Sequence, residues 1–221
     1  MSVTGSTQAW LELLENMLPE LLHLIIDAWP SMHGTLTSNK EDITTEAFCS
    51  ILRKNRTLRQ LPFLVDTQWV ELNPASGQKQ GRLDITFRPT GLPGSPNEDI
   101  YFCLECKRLN FQSGKNKVTG APEYVKEGMM RFVNKQYGRS VKHGCMLGYV
   151  LDGQIHRAVK NVERNVKSHY VVLRMNEPGS LKPSSVLTTT DRAKESYHYR
   201  EDETSAFCIY HLFLEADKLI P

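Results

Sequence analysis

Asp84, Glu105 and Lys107 are the residues of this sequence whose types and spacing best suit chemistry. Glu105 and Lys107 are two apart in the segment Asp99–Lys107. An extended strand sends alternate side chains to the same face, so a carboxylate and an ammonium lie side by side. Phe102, Leu104 and Cys106 take the opposite face, as a core requires. Asp84 is the only acid in Gly81–Pro89, where Leu83, Ile85 and Phe87 alternate with Arg82, Asp84, Thr86 and Arg88. If the two segments are neighbouring strands, Asp84 approaches Glu105. Two such carboxylates suit a hard divalent cation such as Mg²⁺, with Mn²⁺ as a substitute, because these ions prefer oxygen ligands. An ion of that kind activates water and stabilises charge on a phosphoryl group. Lys107 would orient or deprotonate the water, or stabilise the developing charge. Phosphodiester hydrolysis needs those parts. A Glu-x-Lys pair alone also describes an ordinary surface ion pair; Asp84, one strand earlier, raises it above that.

The net charge of +2 does not by itself imply a polyanionic partner, but its distribution does. From Lys107 to Lys142 the bases are Lys107, Arg108, Lys115, Lys117, Lys126, Arg131, Lys135, Arg139 and Lys142, against Glu123 and Glu127 alone. Positive charge gathered beside a metal site is what contact with a phosphate backbone requires. Arg108, Lys115, Lys117, Arg131 and Lys135 are the candidate nucleic-acid contacts. For each, the plainer alternative is a solvated cation. Arg131 and Gln136, on a helix after the Glu105 strand, would reach phosphates or the site itself.

The surrounding pattern predicts the elements that position these groups. Residues 8–29 read as an amphipathic helix, either packed on the domain or forming a dimer contact. A second helix starts near Glu41, with Ser38 and Glu41 at capping-box spacing. Strands are expected at Phe63–Leu72, Gly81–Pro89 and Asp99–Lys107, with a Gly/Pro-rich loop from Pro89 to Asn97 and a second loop at Gly114–Gly120. Pro122 is placed to open a helix running to about Tyr137. A strand at Gly144–Leu151, a helix at Gln154–Lys167 and a strand at Tyr170–Met175 follow. Asn176–Thr204 reads as polar and loop-rich, and Ala206–Leu214 as a final apolar strand or helix. The sum is an α/β layered domain with a mixed sheet.

Gly81-Arg82-Leu83-Asp84, followed by Phe102-Cys103-Leu104-Glu105-Cys106-Lys107-Arg108-Leu109, resembles the PD-(D/E)XK nuclease superfamily, the restriction endonuclease-like fold. Leu83 stands where the motif's name has proline. The stretch Tyr124–Phe132 and the segment Met146–Val150 are similar to uncharacterised bacterial members linked to restriction or anti-phage defence. The resemblance covers roughly residues 38–175. It implies an αβββαβ core in which Asp84 and Glu105 bind metal and Lys107 assists catalysis. Members often add an acid from the first core helix; Glu41 is the candidate and Glu46 the alternative, while either also reads as a solvated or capping residue. On this basis residues 1–37 are expected to be an N-terminal helical extension packed on the core, and residues 38–221 a nuclease-like domain. DNA is the expected substrate, and a homodimer or a larger defence complex the possible assembly.

Other signals point away from rival classes. The five cysteines are odd in number and scattered, unlike a disulfide framework. Cys103 and Cys106 form C-x-x-C, but residues three apart on a strand face opposite sides, which argues against zinc or redox use. No phosphate-binding glycine loop is present, which argues against nucleotide hydrolysis. His198 and Arg200 are read as polar loop residues or as substrate contacts at the site's edge, and His211 as packed into the last element. The start of the chain lacks a cationic segment before an apolar run, so a cytoplasmic protein without a membrane partner is expected. Two rivals of the same fold remain: a catalytically inactive subunit binding nucleic acid or a partner protein, and an RNA- or structure-specific nuclease.

Overall fold

The structure is a computed structural model, and it describes residues 6–33, 40–72, 76–91, 100–177, 179–201 and 203–216. Helix α1 (Thr7–Ala28) is N-capped by Ser6, whose side chain accepts from Ala9 N–H, and ends in a 3₁₀ turn, Trp29–Met32. Helix α2 (Glu41–Leu58) begins directly at Glu41. The expected capping partner Ser38 lies outside the described residues, as does most of the Pro89–Asn97 loop. Three strands follow, β1 (Phe63–Leu72), β2 (Lys79–Pro89) and β3 (Phe102–Leu109). Asp99, where the third strand was expected to begin, is also outside the described residues. After a small hairpin, β4 (Phe111–Ser113) and β5 (Asn116–Val118), the chain enters a broken helix. Its parts are α3 (Ala121–Glu123), a π-helical stretch (Tyr124–Met129) and α4 (Met130–Val133). Strand β6 (His143–Val150), helix α5 (Ile155–Ser168), and strands β7 (Lys182–Pro183), β8 (Ala193–His198) and β9 (Phe207–Glu215) complete the order.

The seven-stranded sheet runs β1-β2-β3-β6-β9-β8-β7. β1, β2 and β3 are antiparallel, β3, β6 and β9 parallel, and β8 and β7 antiparallel again. The chain is therefore α/β with a mixed central sheet and helices on both faces. One face is covered by α1 and α2: Trp10, Leu14, Leu21, Ile25, Phe48 and Leu52 pack with Ile85, Phe102, Leu104 and Cys106. The other is covered by the broken helix and α5: Val125, Met129, Phe132, Val159 and Val162 pack with Cys103, Met146, Ile209 and Phe213. Burial of two such apolar faces is the main force holding the layers. Cys103 and Cys106 go to opposite faces, and all five cysteines are free and buried. Among the described residues no helix is long and apolar enough to cross a membrane.

Several expectations need correction. Tyr170–Met175 is not a strand but a series of turns, with Leu173 N–H donating to His169 O and Met175 N–H to Tyr170 O. Only Leu173 is buried there; Val171 and Val172 are exposed. The position beside β9 is taken instead by β8, from the stretch read as polar loop. The helix expected to reach Tyr137 ends at Val133, because Lys135 and Gly138 adopt positive φ and fold the chain back so that Tyr137 N–H meets Arg131 O. Part of the expected 114–120 loop is the β4–β5 hairpin. Leu83 does not share a face with Ile85 and Phe87: it joins the second core cluster and they join the first. The cause lies in the β1–β2 ladder, where Thr67 faces Ile85 and Trp69 faces Leu83, but Gln68 and Asp84 between them form no pair. Gln68 has φ of 59°, and the strands rotate there.

His198, at the end of β8, and Arg200 are not exposed polar residues but buried, while His211 is packed into β9, the last element, as expected. Tyr124, His211, Ser196 and His198 form a chain ending on the Leu173 carbonyl, with successive contacts of 3.0, 2.8, 2.7 and 2.7 Å. The carbonyl only accepts, so His198 Nδ1–H donates to it and Nε2 accepts from Ser196. Ser196 Oγ then accepts from His211 Nε2–H, and His211 Nδ1 accepts from Tyr124. One proton arrangement satisfies every group with both histidines neutral. Burial lowers the pKa of His198 to about 4 and of His211 to about 3. The unfolded chain takes up protons near pH 6.5 that the folded chain refuses. Stability is thus complete above pH 6.5 and is lost as pH falls toward 4, by about 1.4 kcal/mol per histidine per pH unit. Chemical denaturation between pH 7.5 and 5 checks this. His198→Asn, whose Nδ2 still reaches the Leu173 carbonyl, is expected to remove about half of this acid sensitivity.

Candidate active site

The site lies where β2 and β3 part. These strands share only the pairs Phe87–Phe102, Thr86–Cys103 and Ile85–Leu104. Past Ile85, β2 continues along β1 while β3 continues along β6 to Leu109. The Cys106 N–H therefore lacks a backbone partner on β2, and Asp84 Oδ2 accepts it at 2.7 Å. The Asp84 side chain thereby bridges the opening between the strands, on the same rotation of β2 that moved Leu83.

Glu105, one residue before that N–H, is completely buried. Its Oε1 accepts from Lys107 Nζ at 2.7 Å and from Arg131 Nη1 at 2.8 Å. Lys107 Nζ also donates to Glu41 Oε1 at 3.3 Å and to the Cys106 carbonyl at 2.9 Å. The other oxygen of Glu41 accepts from Arg108 N–H at 3.0 Å. The structure thus brings Asp84, Glu105, Lys107 and Glu41 together and leaves Glu46 exposed on α2. Helix α2 presents Glu41 from its first turn because Phe48, Cys49 and Leu52 seat the helix on the sheet.

The candidate nucleic-acid contacts separate into two groups. Arg131 does not project freely but is tied to Glu105, and Lys135 pairs with Glu203 at 3.2 Å. Lys115 and Lys117 are exposed on the hairpin, and the Arg108 guanidinium lies 4.2 Å over the Phe111 ring. Gln136 does not face the carboxylates; its amide donates to the Gln80 carbonyl.

Tyr137 was not legible as a site residue. Its hydroxyl accepts from Arg131 Nη1 at 2.9 Å and donates to the Arg82 carbonyl at 2.9 Å, which fixes Arg131 against Glu105. Gly81 permits this, since a Cβ there would come within 2.6 Å of the Tyr137 ring. The π-helical stretch sets the rotation of α4 that carries Arg131, and π segments often mark such sites. No signal short of the tertiary contact identifies Tyr137, although Gly81 beside the Asp84 motif hints at a close approach.

Among the described residues no group of three or more His, Cys, Asp or Glu is arranged to hold a metal ion. The smaller set fits a hard cation nonetheless. Glu105 Oε2 is buried without a hydrogen-bond partner, and Asp84 and Glu105 repel each other. Burial first, then Glu105, pushes Asp84 up to about 7. Burial likewise raises Glu105 despite Lys107 and Arg131. Burial works against the Lys107 ammonium, but Glu105, Glu41 and Asp84 outweigh it and hold its pKa above the ordinary value. Two carboxylates completed by water and phosphate oxygens suit Mg²⁺ or Mn²⁺.

No family model matches this chain, and no curated protein or solved structure was found to match it. The chemistry of the site therefore rests on its own geometry.

Asp84 supplies a test. Its folded pKa of about 7 exceeds the ordinary 3.8, so the folded chain binds the proton more tightly, and the ionised carboxylate opposes folding as pH rises through this interval. Asp84→Asn keeps an acceptor for the Cys106 N–H. With a chelator present it is expected to raise the thermal midpoint by several degrees above pH 7, and by nothing near pH 4. An unchanged or lower midpoint at pH 8 would refute the strain assigned to the paired carboxylates.

Proposed function

We propose that this chain is a metal-dependent nuclease of the PD-(D/E)XK type, hydrolysing phosphodiester bonds of DNA. The observation that carries the reading is the meeting of Asp84, Glu105, Lys107 and Glu41 at one opening in the sheet, with the second Glu105 oxygen buried and unpartnered. Supporting it, α2, β1, β2, β3, the broken helix and β6 come in the order αβββαβ, with the small β4–β5 hairpin inserted after β3. Asp84 and Glu105 would hold the Mg²⁺ or Mn²⁺. When bound, the cation supplies Lewis acidity toward a phosphoryl oxygen and lowers the pKa of coordinated water.

The protein's own groups do the rest. Lys107 stays an ammonium at neutral pH, so it works as a cation and donor toward the phosphate or the attacking water, not as a general base. Glu41 and Glu105 fix that ammonium from two elements, which restricts it to one position. Arg131 shares Glu105 with Lys107 and carries a second positive charge to where negative charge builds up on the phosphate. Tyr137 is a positioning residue that acts through Arg131.

A second reading, an inactive nuclease-fold protein that binds nucleic acid, draws on one observation. Lys107 and Arg131 together occupy the Glu105 oxygen that a metal would share. Cleavage of plasmid and single-stranded DNA with Mg²⁺ or Mn²⁺ separates the two. The wild-type chain is expected to cut only with metal, and Lys107→Ala to cut roughly 10²–10³-fold more slowly. Metal binding by calorimetry without any cutting would favour the second reading, and absence of both would sink the nuclease proposal.

A further inference from the structure

The β4–β5 hairpin follows directly from the end of β3, a few residues beyond Lys107, and its base is held firmly. Asn110 N–H donates to the Thr119 carbonyl at 3.0 Å. The Arg108 guanidinium stacks on Phe111 at 4.2 Å. Gly120 has φ of 68° and lies so close to the Arg108 carbonyl that no side chain fits there. The direction in which the hairpin projects is therefore set by the strand that carries Glu105 and Lys107.

Beyond that base the hairpin buries nothing. Gln112, Ser113, Gly114, Lys115, Asn116 and Lys117 are all exposed, and only Phe111 and Val118 are partly covered. A two-stranded hairpin of this size is at best marginally stable in water, and this one has no apolar face to offset the ordering of its tip. Its composition is polar and basic, with no acidic residue from Arg108 to Pro122. Three residues per strand give a ribbon about 10 Å long with strands about 4.8 Å apart. The major groove of B-form DNA is about 12 Å wide and admits a two-stranded ribbon. The major groove of double-stranded RNA is too deep and narrow for one.

We infer that the β4–β5 hairpin is a probe for the major groove of double-stranded DNA, placing Lys115, Asn116 and Lys117 against the duplex beside the site. The inference deepens the nuclease reading and rests on it for the position of the scissile phosphate. Within the tip, Gln112 Nε2 donates to the Gly114 carbonyl at 3.3 Å, so this amide steadies the turn. Asn116 is left as the amide for a base edge, where donor and acceptor together match adenine. Lys115 and Lys117 supply the charge that meets phosphates or guanine.

The test is binding, measured by fluorescence anisotropy with the full chain in a chelator. The probes are duplex DNA, duplex RNA of the same sequence, and single-stranded DNA. The wild-type chain is expected to prefer duplex DNA. A triple variant, Lys115→Ala with Asn116→Ala and Lys117→Ala, alters only exposed side chains. It is expected to bind duplex DNA about tenfold more weakly, with a salt dependence reduced by about two phosphate contacts. Asn116→Ala alone is expected to flatten base preference in a randomised duplex pool. Unchanged affinity of the triple variant overturns the inference, as does wild-type binding that is absent or equally strong for duplex RNA. Hairpin-dependent binding of duplex DNA without cleavage in Mg²⁺ or Mn²⁺ would uphold the inference while removing the nuclease reading.

Discussion

The Glu105 carboxylate is the constraint on which this structure depends. It is wholly buried in the middle of the sheet, and a charge there is costly unless cations and hydrogen bonds meet it. Lys107 comes from the same strand, Arg131 from the helix packed on that face, and Glu41 steadies Lys107 from a helix on the other layer. Satisfying one carboxylate thus ties both helical layers to β3. The broken helix, the fold-back of residues 134–138 and the bare backbone at Gly81 all serve the same end, since Tyr137 reaches Arg131 only through them.

The ion pairs do not satisfy this cluster completely. One Glu105 oxygen has no partner, and Asp84 is raised to about 7 by burial and by its neighbour. Perturbed carboxylates of this kind gather at functional sites because chemistry needs charge held where solvent does not hold it. The contrast with the histidine chain, on the same face of the sheet but further along it at β9 and β8, is instructive. Tyr124, His211, Ser196 and His198 are as deeply buried, yet every donor there meets an acceptor and both imidazoles stay neutral. One buried polar group is settled and belongs to the architecture. The other is left in tension, with a buried carboxylate oxygen that no group of the chain meets.

Much of the architecture followed from short-range pattern. The strand-like runs Phe63–Leu72, Gly81–Pro89 and Asp99–Lys107, and the helical spacing of α1, α2 and α5, are imposed by neighbours along the chain, so those elements were legible to within a few residues. Asp84, Glu105 and Lys107 stood out because a strand's period of two forces Glu105 and Lys107 onto one face, and Glu41 was named beside Glu46 as a possible fourth member. Choosing between those two glutamates took the packing of α2, which turns Glu41 inward at the first helical turn and leaves Glu46 in solvent.

The sequence by itself determined the kind of most elements, the mixed α/β class and the shared face of Glu105 and Lys107. Tertiary structure decided whatever hangs on non-local pairing. Val171 and Val172 looked like a strand, but β9 found its partner in β8, whose polar residues pair with one another once buried. Leu83 left the face its alternation assigned because Gln68, on the opposing strand, takes a left-handed conformation. Arg131, read as reaching either phosphates or the site itself, became the partner of Glu105, because only the folded chain brings a residue from after the hairpin against the middle of β3. Contacts of this kind are absent from local pattern, since loop closure and burial choose among partners that the sequence leaves equivalent.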